Sequence, residues 1–110
     1  MSRENRVALT GRLAEVGALR VTPGGIAVVQ CRLRHESECN EAGKKRKVKA
    51  EVESIAFEAQ ARLIAAAALD SALRVEGFLC AKSARSKKLV LHITNVVFGK
   101  ENEDAAAAQR

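Results

Sequence analysis

At 110 residues the chain has room for one domain with a single core. Nineteen Lys and Arg against thirteen Asp and Glu give a formal charge of +6, which points to an acidic partner such as nucleic acid or an anionic membrane. No apolar run approaches the roughly 18 residues of a membrane span, and "MSRENR" lacks the apolar segment of a signal peptide, so the chain is expected in the cytoplasm.

The first segment, "RVALTGRLAE", alternates Val7, Leu9, Gly11 and Leu13 against Arg6, Thr10 and Arg12, the period-two pattern of a half-buried strand. Gly11 inside it suggests a bend or bulge. The strand can resume at "GALRV" and stops at "TPGG", a turn signal. "IAVVQCRLRHE" then places Ala27, Val29, Cys31 and Leu33 opposite Gln30, Arg32 and Arg34, so two strands form a hairpin with cations outward. A polar loop, "SECNEAGKKR", leads into "KVKAEVES", where Val48, Ala50 and Val52 alternate with charged residues.

The pattern changes over residues 57–69. "FEAQARLIAAAAL" has no Gly, Pro or Thr, and Phe57, Ala61, Ile64 and Ala68 recur at helical spacing. This predicts the single helix, with Ser54 as a candidate cap and Phe57 packed inward. "SALRVEGFLCAKS" returns to strand alternation with Gly77 at its middle. A second basic loop, "KSARSKK", precedes the last strand, "LVLHITNVVF", whose Phe98 suits the core or the strand end. Residues 1–99 therefore read as one domain, and residues 100–110 as a disordered tail.

The order strand, strand, strand, helix, strand, strand is that of an all-β fold with one helix: a five-stranded OB-fold barrel, the helix lying between strands 3 and 4. Glycines inside strands suit the sharp coiling that closure demands. An open α+β sheet under one helix is the rival arrangement.

An OB-fold binds oligonucleotides on its strand 2–3 face and on the loops joining strands 1–2 and 4–5. Four basic groups, distant in sequence, map to that surface: Arg20 before the first turn; Arg32 and Arg34 on the second strand; Lys44, Lys45, Arg46, Lys47 and Lys49 entering the third; and Lys82, Arg85, Lys87 and Lys88 between the last two. Glu36, Glu38, Glu41, Glu51 and Glu53 dilute the field. With no Trp or Tyr and only three Phe, base stacking has few platforms. Phe78, in phase with Arg74, Glu76 and Lys82, is a candidate for base stacking, with an interface role as the alternative. Attraction to phosphates is expected to dominate.

The segments "NRVALTGRL", "RVTPGGIAVVQCRLRHESE", "EAGKKRKV", "VEGFLCAKS" and "LVLHITNV", in this order, resemble the PriB family of primosomal replication proteins, small relatives of bacterial single-stranded DNA-binding protein. The likeness runs from about Asn5 to Phe98. It implies a homodimeric OB-fold that binds single-stranded DNA and the restart helicase PriA. It also implies DNA contacts at Arg20, Lys82, Arg85 and Lys88. The chain departs from the family by carrying Lys44 and Lys49 where some members have aromatics, and Glu36 where an Arg often follows the histidine.

Cys31, Cys39 and Cys80 include no CxxC and no nearby His pair, which argues against a zinc site. Cys31 and Cys80 read as buried strand thiols and Cys39 as a loop thiol in a reducing compartment. His35 and His92 suit hydrogen bonding in the core or at an interface. No Walker loop, catalytic dyad or cofactor motif is present, so the expectation is a binding protein with no enzymatic activity, cofactor or small-molecule substrate. A protein-interaction hub with weak nucleic-acid contact and an RNA-binding module are the other readings.

Overall fold

The computed structural model describes residues 3–99; the expected tail at 100–110 lies outside them. Its elements are β1 (Val7–Val16), β2 (Arg20–Val21), β3 (Ala27–Glu41), β4 (Lys44–Phe57), α1 (Glu58–Ala65), β5 (Ala72–Ser83) and β6 (Ser86–Phe98). β1, β5, β6, β4 and β3 pair in that order, and β1 turns back to pair with β3, which closes a five-stranded barrel. β2, the resumption of the first strand at "GALRV", adds a short sixth strand to β3. The OB-type barrel with one helix is as expected; counted with β2, the helix falls between β4 and β5. Among the described residues no helix is long and apolar enough to cross a membrane.

The inward side chains are those of the alternating pattern. Leu13, Leu33, Leu73 and Leu91 are fully buried with Val29 and Val75, and each such leucine contributes about 2 kcal/mol by leaving water. The core cluster is aliphatic apart from the Cys31 thiol; Phe98 packs at its margin. Helix α1 packs against β3, β4 and β6 and supplies Ala61 and Ile64 to the core.

The mid-strand glycines serve close approach rather than bending alone. A Cβ on Gly11 would stand 2.3 Å from the Arg34 carbonyl oxygen, and one on Gly77 would stand 1.9 Å from that of His92. Neither strand crossing tolerates a side chain. The β5–β6 register also shifts between Glu76 and Gly77, so a bulge is present there as well.

Several local expectations are corrected. Ser54 is not a helix cap: it lies in β4, 2% exposed, and its hydroxyl donates to the Val52 carbonyl. Parallel pairing of Ser54–Ala56 with β6 holds this segment in the sheet; the helix begins at Glu58, one residue after its expected start, and ends at Ala65 rather than Leu69. Phe57 occupies the cap position and is exposed, not packed inward. Cys80 is exposed rather than buried, and all three thiols are free.

The two expected basic loops are largely strand. β3 and β4 pair without interruption from Val28↔Phe57 to Glu41↔Lys44, leaving a two-residue turn at Ala42 (φ 53°) and Gly43 (φ 82°). Positive φ at both central residues is the type I′ geometry that matches strand twist. Likewise β5 and β6 pair up to Ser83↔Ser86, and the Ser83 hydroxyl accepts the backbone N–H groups of Arg85 and Ser86.

Candidate nucleic-acid interface

Register decides which side chains share a face of the β3–β4 ribbon. Directly opposed residues lie on the same side, and alternate pairs lie on opposite sides. The side carrying Ile55 holds Arg32↔Glu53, Arg34↔Glu51, Glu36↔Lys49 and Glu38↔Lys47, followed by Asn40↔Lys45. Four successive cross-strand pairs thus join opposite charges. Cys39↔Arg46 and Glu41↔Lys44 belong to the other side. The expected cations at 44–49 are therefore split between the two faces, and Lys47 and Lys49 each oppose a glutamate.

The other cations are also distributed. Arg34 is drawn toward the connection between α1 and β5, where its Nη2 lies 2.6 Å from Asp70 Oδ1; Arg12 donates to the Asp70 carbonyl at 2.9 Å. This places Arg34 in a brace across the barrel. Arg46 Nε is 3.3 Å from Glu41 Oε1 at the ribbon tip. Arg85, Lys87 and Lys88 are exposed at the β5–β6 tip. Arg20 is exposed on β2, opposite Val28.

Two of the expected residues, Arg32 and Lys82, line one groove. Lys82 Nζ reaches to 3.7 Å from Glu53 Oε2, while Arg32 pairs with Glu15. Between them runs a groove of about 400 Å³ whose walls include Glu15, Arg32, Glu53, Ile55, Lys82 and His92. β1, β3, β4, β5 and β6 all contribute to it. The β5–β6 hairpin thus borders the face from which Lys47 and Lys49 project. Such exposed ion pairs contribute about 0–1 kcal/mol each, so a phosphate can displace a carboxylate at little cost.

Sequence reasoning missed an aromatic feature on the same side of the sheet. Phe78 and His92 are direct cross-strand partners, with ring centroids 5.0 Å apart and planes 18° from parallel. Phe57 stacks on the same histidine at 6.0 Å and 26°. Phe57, His92 and Phe78 therefore form a row across β4, β6 and β5. Phe57 and Phe78 are each 39% exposed, and His92 is half-buried. Carrying the period-two phase of β4 from Glu53 through Ile55 to Phe57 would have found it. His35, in contrast, is fixed by hydrogen bonds as expected: Nδ1 lies 2.7 Å from the Thr10 carbonyl and Nε2 2.8 Å from Ser37 Oγ.

Cys31 lines the groove from the core side. Burial raises its thiol to about 11, so it is a neutral packing group at physiological pH.

Residues 5–95 match the model of a family described as another single-strand binding protein family. The chain is 37% identical over 89 residues to the replication restart protein PriB of Bordetella pertussis, covering 81% of this chain and 83% of that protein. It is 33% identical over 89 residues to the Nitrosomonas europaea protein of the same name, covering 81% and 82%. The solved structure of priB from Ralstonia solanacearum superposes with a TM-score of 0.77 at 30% identity, covering 87% of this chain and 99% of that one.

Proposed function

This chain belongs to the PriB family of replication restart proteins, within the single-strand binding proteins, and we propose that it binds single-stranded DNA as a non-enzymatic accessory of the restart primosome. The observation that carries the reading is the Lys82–Glu53 contact. It sets the cations of the β5–β6 hairpin beside the outer face of the β3–β4 ribbon. DNA then runs along the groove, with Arg32, Lys47, Lys49 and Lys82 near its phosphates. The tips extend the track through Lys44, Lys45 and Arg46 on one side and Arg85, Lys87 and Lys88 on the other. Arg20 extends it at β2, Phe78 takes a base, and Arg34 contributes through the field despite its tie to Asp70.

Binding proceeds mainly by release of counterions from the DNA, with the paired glutamates giving way to phosphate oxygens. A log–log salt slope of about −0.7 per neutralised phosphate is expected for a single strand. Fluorescence anisotropy with a labelled oligo-dT across a salt series tests this; a nearly flat titration overturns it. The protein acts in the cytoplasm as a homodimer and hands DNA to the helicase PriA, with the β5–β6 hairpin serving both ligands.

A second reading is a dimeric interaction hub of the primosome with weak contact to DNA or RNA. The observation that favours it is the ladder of opposite charges along the ribbon, which cancels much of the local positive field. Sedimentation with and without oligo-dT separates the two readings, since it reports subunit count and DNA binding together.

A further inference from the structure

The aromatic row has a protonatable ring at its centre and lies beside the groove. We propose that His92, held between Phe57 and Phe78, is a DNA-binding residue that takes up a proton when single-stranded DNA enters the groove. The proposal rests on the DNA-binding reading above and deepens it.

Three observations lead to it. First, the stack orients His92: both neighbours lie near-parallel to it, which fixes the imidazole between two aromatic rings beside the groove. Second, the ring lines the groove, where an entering phosphate backbone favours the charged form. Third, the surrounding charges are already matched. Glu15 of β1 pairs with Arg32 of β3, Glu53 of β4 with Lys82 of β5, and Glu76 with Arg74 on the strand that carries Phe78. Glu58, next to Phe57, turns its carboxylate to the Ala27 amide. Cys80 is the remaining titratable neighbour on β5. A proton on His92 therefore adds positive charge to a groove whose fixed charges cancel. By linkage, if DNA favours the proton, the proton favours DNA by the same factor.

The row also supplies contact area. The outer faces of Phe57 and Phe78 are free of His92 and stand where bases can stack, which adds Phe57 to the site beside Phe78.

The test is anisotropy with labelled oligo-dT, whose bases do not titrate over the range, at constant salt between about pH 8 and about pH 5.5, the window in which histidine changes charge. Wild-type affinity is expected to rise about three- to tenfold as the pH falls. His92→Phe keeps an aromatic ring in the row and should lose the rise as the pH falls, whatever its affinity at the upper pH. Phe57→Ala should weaken binding at both ends of the range, and circular dichroism checks that each variant is folded. His92→Gln, which keeps polarity without the charge, serves if the Phe variant does not fold. A pH profile of His92→Phe or His92→Gln parallel to wild type overturns the proposal, as does a flat wild-type profile. Wild type that binds at neither pH instead overturns the DNA-binding reading itself.

Discussion

Lys82 Nζ and Glu53 Oε2 stand 3.7 Å apart on strands that are not neighbours in the sheet, with β6 between them. The pair lines the groove and holds a cation beside a carboxylate that competes with any anionic ligand. Glu53→Gln should free Lys82 and raise oligo-dT affinity about two- to fivefold at low salt. Unchanged affinity in anisotropy would place the DNA path elsewhere.

Lys87 and Lys88 are exposed at the tip of the same hairpin. The double variant Lys87→Glu and Lys88→Glu should weaken DNA binding about tenfold and flatten the salt slope by about 1.4, or 0.7 for each lost phosphate contact. Arg62→Glu on α1 is the control and should change little.

Gly77→Ala should cost about 3 kcal/mol or more, because the new methyl would stand 1.9 Å from the His92 carbonyl oxygen and the β5–β6 crossing would have to open. Thermal melting measures this, with a drop of several degrees or more expected. A variant as stable as wild type would show that the crossing can relax.

Cys31 links stability to alkaline pH. Its thiol is raised from 9.0 to about 11 in the folded chain by burial. Below pH 9 both folded and unfolded states hold the proton, and the thiol adds no pH dependence. Between the two values the unfolded chain loses it first, so stability falls as pH rises, by about 3 kcal/mol in all. Subtracting the profile of Cys31→Ala from that of wild type isolates the effect. A thiol reagent should modify the exposed Cys39 and Cys80 in the folded protein and reach Cys31 only on unfolding.

The barrel was legible because its core obeys period two: Leu13, Val29, Leu33 and Val75 fall on inward phases in the sequence and in the structure alike. The tip of the ribbon was not. Residues 36–41 and 44–46 carry no apolar alternation that distinguishes strand from loop, and the signal there lies in which charge opposes which; the strand phase becomes readable from Val48 through Ala50 and Val52. The Ser54 cap was misread for a different reason. Alanine and leucine favour helix locally, but pairing of Ser54–Ala56 with Leu91–Ile93 is a contact between distant segments that propensity does not contain. Gly11 and Gly77 were singled out correctly as positions of constraint, though the constraint is mostly a neighbouring carbonyl. Phe57 was assigned to the helix's inner face when it belongs to the strand's outer one, and with it went the aromatic row.

The type I′ turn at Ala42–Gly43 carries the ribbon past the barrel. Among the described residues, β3 beyond Arg34 and β4 before Ser54 pair in the sheet only with each other, which leaves backbone amides and carbonyls outside the ladder along both margins. Margins of that kind invite strand addition by a neighbouring molecule and, with it, polymerisation. Lys45, Lys47 and Lys49 crowd like charge along one of them, and each docking copy would bring its own set. Like charge on these lysines opposes such docking, and neutralising them together should promote assemblies larger than the proposed dimer.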